Sequence, residues 1–219
     1  MWNITLIRKM LMAITGLFVC FFLVIHLLGN LQLFLPPARA QLQFNYYSAL
    51  LSGNIIISII AYILYFSLIS HAVLALLITI QNKRSGGSYK VDRRSRASAW
   101  ESRNMGFLGA VILFFLIVHL ANFWYVYKFG SIPYDVNGRK DLYAVVLNVF
   151  SIGWYVLIYC IGMLALGYHL RHGVYSATRT LGIYHPKYVF WFKIIGLIYT
   201  YSVTLGFMAI PIYVYLTQL

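Results

Sequence analysis

The sequence is poor in acid. Only four of its 219 residues are Asp or Glu. None of the four falls inside the long apolar runs, and the single glutamate, Glu101, sits in a polar stretch. Transporters that relay ions usually carry carboxylates at membrane depth, and they show inverted repeats or broken helices. Neither pattern is present. Cysteine is almost absent too: Cys20 and Cys160 each lie alone in an apolar run. They read as small packing residues, which excludes a disulfide framework or a thiolate metal centre. There is no internal repeat, low-complexity tract or dinucleotide-binding glycine motif.

What the chain does have is long hydrophobic runs. They cover Met10–Leu35, Asn54–Ile80, Gly106–Phe129, Leu142–Gly167 and Tyr188–Leu216. Each exceeds the ~20 residues needed to cross a ~30 Å hydrocarbon core. The expected fold is an all-α membrane protein with five transmembrane helices, forming one domain over residues 1–219. A polar loop is expected at Ala38–Gly53 after Pro36-Pro37, a second at Ser85–Arg103, and a third around Pro133, Asp135, Gly138 and Asp141. The triplet Ala38-Arg39-Ala40 resembles a cleavage site, but the run before it is too long for a signal peptide. The first run is therefore expected to be retained as a span.

The basic residues divide unevenly between the two ends of such a bundle. With the N-terminus cytoplasmic, the inner side carries Arg8, Lys9, Lys83, Arg84, Lys90, Arg93, Arg94, Arg96, Arg103, Arg171, Arg179, Lys187 and Lys193. The outer side keeps Arg39, Lys128, Arg139 and Lys140. The positive-inside rule then sets the N-terminus in and the C-terminus out. The location expected is a cytoplasmic (inner) membrane, multi-pass. The net charge of +13 is explained by topology and anionic lipid, not nucleic acid. An acidic partner on the inner face is compatible with it.

Four histidines stand inside four different runs: His26, His71, His119 and His169. An imidazole at membrane depth is expensive and marks a functional site by default. His26 lies ten residues before Pro36 and His119 nine before Lys128, each ~15 Å from the outer edge. His71 lies twelve before Lys83 and His169 ten before Arg179, toward the inner edge. Depth therefore pairs His26 with His119 and His71 with His169. Two imidazoles from separate helices suit an iron cofactor, and two such pairs suit two stacked b haems. With both axial positions filled by histidine, a haem passes electrons and binds no substrate. Taken singly, each histidine also reads as a hydrogen-bonded packing residue or a proton relay. His172 and His185 fall at the inner surface, and His172 is the rival to His169 as fourth ligand.

The residues around these histidines resemble the single-chain, two-haem cytochrome b subunit of succinate dehydrogenases and fumarate reductases. The resemblance rests on Phe22–Asn30 (FLVIHLLGN), Ser70–Val73 (SHAV), Ser102–Met105 (SRNM) with His119–Trp124 (HLANFW), and His169–Ser176 (HLRHGVYS) leading to Thr180–Gly182. It covers nearly the whole chain. It implies five helices, the first four carrying the iron ligands. It places the fourth ligand four residues before a glycine, at His169 with Gly173 following, rather than at His172. It also implies a flavoprotein subunit, an iron–sulfur subunit on the cytoplasmic face, and a membrane quinone that exchanges electrons with succinate and fumarate. The chain would then be non-catalytic alone. Some fumarate reductases carry a glutamate two residues before the fourth ligand; here that position is Gly167, which favours succinate oxidation.

Further candidates follow from what such cofactors need. Haem propionates bind cations at the membrane edge, and Arg8, Arg103, Arg171 and Arg179 are candidates near the inner haem. Gly16, Gly109, Gly162 and Gly167 would let helices or a flat macrocycle approach closely. Asn30, Gln32, Asn45 and Trp124 are polar groups available to an outer quinone site. The competing readings are a cytochrome b of a hydrogenase or formate dehydrogenase, with the same haems and other partners, and a histidine-relay transporter.

Overall fold

The computed structural model describes residues 4–85, 100–183 and 185–218. Lys90, Arg93, Arg94 and Arg96 of the polar stretch lie outside the described residues. The described chain is built from helices, with one isolated antiparallel bridge between Tyr134 and Lys140.

Five helical segments are long and apolar enough to cross a membrane: Ile4–Phe34, Ile55–Arg84, Met105–Phe129, Gly153–Thr180 and Val189–Leu216. The protein is a multi-pass membrane protein. Large apolar side chains cover its outer surface, among them Ile55, Ile56, Tyr62 and Phe66. In water that surface would be a liability; against lipid it is the ground state.

The first span packs along the second and the fourth. The third packs along the fourth and, more lightly, the second. These four make a bundle in which the first and third spans, and the second and fourth, face each other across the diagonals. The fifth span lies outside this square, mainly along the fourth. Its inner face buries Thr200, Val203, Thr204, Ile210, Pro211 and Val214. Close helix contact is made by glycine: a methyl group at Gly162 would sit 2.6 Å from the Phe115 ring, and one at Gly206 2.9 Å from Leu27.

Besides the short helix Trp100–Arg103 within the expected loop Ser85–Arg103, two boundaries differ from the sequence expectation. The polar segment after Pro36 is not a loop but a helix, Pro37–Gly53. Proline is well placed in a first helical turn, where its missing N–H has no partner to lose. This helix buries Ala40, Phe44 and Asn45 against the bundle end. Asn54 then starts the second span, its Oδ1 accepting from the Ile56 and Ile57 N–H groups at 2.9 and 3.2 Å, a normal N-cap arrangement.

The run Leu142–Gly167 is also two pieces. Asp141 caps a short helix, Leu142–Phe150, by accepting from Ala144 N at 3.1 Å. The chain breaks at Ser151-Ile152 and resumes as the fourth span, Gly153–Thr180. That span ends at Gly182, whose φ of 74° is open to glycine at little cost. Ile183 N reaches Thr178 O at 3.0 Å and Gly182 N reaches Arg179 O at 3.2 Å, the paired bonds of a Schellman stop.

Candidate metal centre

The four histidines come from the four bundle helices, and they meet across its diagonals. The His26 and His119 rings, from the first and third spans, have centroids 5.7 Å apart with planes at 86°. The His71 and His169 rings, from the second and fourth spans, have centroids 6.1 Å apart at 68°. His71 finds its ring partner in His169, not in His172.

Those separations suit a shared metal atom. A metal–imidazole bond is ~2.0–2.1 Å, and two rings on opposite sides of one atom then have centroids about 6 Å apart. Steeply crossed ring planes are compatible with two axial ligands. Direct ring-to-ring hydrogen bonding does not account for the whole arrangement, because Nδ1 of His119 and Nδ1 of His169 are buried without a hydrogen-bond partner. A buried polar atom left so demands an explanation. Each of these two histidines belongs to a different pair, so each pair holds one. Among the described residues, no group of three or more His, Cys, Asp or Glu is placed to hold a metal ion. A centre that takes two imidazoles and brings its own equatorial ligands needs no third.

The surroundings of the two pairs differ. The His26–His119 pair is ringed by aromatic side chains. Phe22 stacks on His26 at 5.2 Å and Phe207 lies 5.4 Å from it. Phe115, Phe123 and Tyr159 lie 5.7, 5.4 and 5.9 Å from His119. Immediately after His119 the helix widens into a π-helical turn, Leu120–Tyr125, a distortion that often marks functional positions. The His71–His169 pair is backed instead by small residues. Thr15 Oγ1 is 3.4 Å from His71 Nδ1, and a methyl group at Gly16 would lie 3.0 Å from His71 Cε1.

The four glycines singled out from sequence divide by role. Gly16 meets a histidine. Gly162 and Gly167 serve helix packing, the latter against Thr204, whose Oγ1 a Cβ would approach to 2.8 Å. No side chain longer than hydrogen fits at 167 without displacing Thr204. Gly109 faces open space, with nothing within 4 Å of a built Cβ.

Arg171 Nε pairs with Glu101 Oε1 at 3.1 Å. Arg103 ends the short helix Trp100–Arg103, and Arg179 lies in the last turn of the fourth span. Arg8 shares a cleft with Arg84 between the first and second spans. His185 is exposed and accepts from Lys187 N at 3.2 Å. Cys20 and Cys160 are unpaired.

The polar residues considered for an outer quinone site are scattered. Asn30 Nδ2 donates to His26 O at 2.7 Å, and Trp124 Nε1 donates to Tyr65 Oη at 2.9 Å. Asn45 is fully buried and structural. It donates to Asp141 Oδ1 at 2.8 Å and Asp135 Oδ2 at 3.3 Å, and accepts from Tyr143 N at 3.0 Å. Sequence reading missed a different place. A cleft of about 360 Å³ beside the π-helical turn is lined by Asn122, Ser131, Asn148 and Tyr155 among apolar side chains such as Val145 and Val149. Asn122 Nδ2 donates to Tyr159 Oη at 3.4 Å, and Tyr159 packs on His119. The visible signal was Asn122, one turn after His119.

No protein-family model, no curated protein and no solved structure matches the chain.

Proposed function

We propose that this protein is the membrane anchor and electron-transfer subunit of a succinate:quinone oxidoreductase, holding one b haem between His26 and His119 and a second between His71 and His169. The observation that carries this is the meeting of four intramembrane imidazoles in two diagonal pairs, with centroids 5.7 and 6.1 Å apart. A b haem held by two imidazoles supplies one-electron transfer and leaves no coordination position for substrate.

The chain's own residues supply the rest. The aromatic box packs the His26–His119 pair with mostly apolar rings, and Asn122 Nδ2 donates to the hydroxyl of its one tyrosine, Tyr159. Thr15 and Gly16 fix the edge of His71. The cleft lined by Asn122, Ser131, Asn148 and Tyr155 is an apolar slot with convergent hydrogen-bonding groups, the kind of site that suits a quinone head. A flavoprotein and an iron–sulfur subunit would dock on the basic N-terminal end. The resemblance read from the histidine blocks supports the succinate assignment; the ring geometry supports the haems alone.

The test is an optical spectrum of the purified protein with its co-purifying subunits identified. Two low-spin b haems per chain, with a flavoprotein and an iron–sulfur protein, are expected. A colourless preparation would leave a histidine-relay membrane protein. Two haems with a hydrogenase or formate dehydrogenase partner would move the chain to that kind of complex.

A further inference from the structure

Arg8 on the first span and Arg84 on the second border one cleft of about 290 Å³, with Leu77, Ile80 and Gln81 as its other walls. Leu77, Ile80, Gln81 and Arg84 follow the i, i+3, i+4, i+7 spacing, so they form a single stripe of the helix. At ~100° per residue that stripe lies about 130° round the helix from His71. The cleft thus opens away from the bundle core. Leu77 and Ile80 are 41% and 40% exposed, as lipid-facing side chains are.

Among the described residues, no carboxylate lines this cleft. Of the described carboxylates, Glu101 is taken by Arg171, and Asp135 and Asp141 are held by Asn45 at the opposite end of the bundle. Two arginines therefore border an apolar, outward-facing wall at the end of the spans. That combination recognises a phosphate group with hydrocarbon attached.

The geometry points to the Arg8–Arg84 cleft as a binding site for the headgroup of an anionic phospholipid. The phosphodiester sits between the two guanidiniums and the acyl chains lie along Leu77 and Ile80. This rests on the membrane-spanning fold and is independent of whether the histidines hold haem.

The test uses the full chain, with the subunits that purify with it, in detergent micelles. Retention of added phosphatidylglycerol and phosphatidylcholine is followed by native mass spectrometry. One phosphatidylglycerol is expected to be held in clear preference to phosphatidylcholine. Arg8→Gln and Arg84→Gln should each weaken that preference about fivefold, the usual effect of one basic side chain at a lipid surface. The double variant should abolish it. Lys83→Gln, at the same end but outside the cleft, should leave it unchanged. Equal retention of the two lipids overturns the site, as does a Lys83→Gln loss equal to that of Arg84→Gln. Displacement by millimolar inorganic phosphate would show a free-phosphate site instead of a lipid site. Loss of a haem band in Arg8→Gln would show that the arginine serves a propionate, which also overturns the proposal.

Discussion

His71 and His169 face each other from the second and fourth spans with ring centroids 6.1 Å apart, and His71 is wedged from behind by Thr15 and Gly16 of the first span. Three helices thus fix one imidazole edge. The His26–His119 pair, in contrast, is fixed by aromatic packing. The two pairs are built differently, and they should fail separately.

If the pairs hold haem as proposed, His26→Ala or His119→Ala should each remove one haem and leave the other, halving the haem per chain. His71→Ala and His169→Ala should remove the other one. Pyridine haemochrome content and low-temperature spectra read this directly. If His26→Ala and His169→Ala delete the same spectral component, the diagonal pairing is wrong.

Gly16→Ala tests the wedge. Alanine gains about 1 kcal/mol over glycine in a helix, but its methyl would stand 3.0 Å from His71 Cε1, so the ring must shift by a few tenths of an ångström. The expected outcome is a moved midpoint potential or split band for the haem we propose at His71, with the other unchanged. Gly109→Ala, which meets nothing within 4 Å, should leave both spectra as they were.

The Arg171–Glu101 pair is asymmetric: the arginine side chain is 52% exposed and the glutamate 10%. Losing the arginine strands a nearly buried carboxylate, whereas losing the carboxylate frees a cation that water can reach. Arg171→Gln should therefore destabilise more than Glu101→Gln. Solvent screening keeps the larger effect to about 1–2 kcal/mol. Thermal unfolding of the two variants and their double checks the order.

Asp135 binds the loop at the other end. The Arg139 N–H holds its carboxyl below the usual carboxylate range, helped by the Asn137 N–H and Asn45 and opposed by burial. A lowered folded pKa means the stabilisation is complete above the unfolded value of ~3.9 and disappears as pH falls through the folded one. Amide exchange in residues 134–141 should be flat between pH 5 and 8, apart from intrinsic rates, and should accelerate below about pH 4. Asp135→Asn should remove that acid dependence while keeping an acceptor for the loop N–H groups. Asn45→Ala, which strips three bonds from a fully buried site, should cost about 2–3 kcal/mol in thermal unfolding.

Much of the fold was legible without coordinates, because lipid imposes one rule on every residue of a span: apolar side chains outside and backbone bonded within the helix. Five long apolar runs therefore meant five crossing helices. The same rule hides boundaries. Ser151-Ile152 breaks a run that is apolar on both sides, so hydropathy alone did not separate Leu142–Phe150 from the fourth span. The helix Pro37–Gly53 was hidden for the opposite reason: it is polar enough to read as a loop, and only its packing of Ala40, Phe44 and Asn45 against the bundle end gives it a buried face.

The sequence by itself determined that four imidazoles lie at two depths, since depth along a helix is a count of residues at a fixed rise. Only the tertiary structure decided that the members of each depth share a diagonal of the bundle. It likewise decided that Arg8 and Arg84 border one cleft, that Arg171 pairs with Glu101, and that a cleft opens beside Asn122. Direction around a helix axis is set by which helices it packs against, and those contacts join residues far apart in the chain.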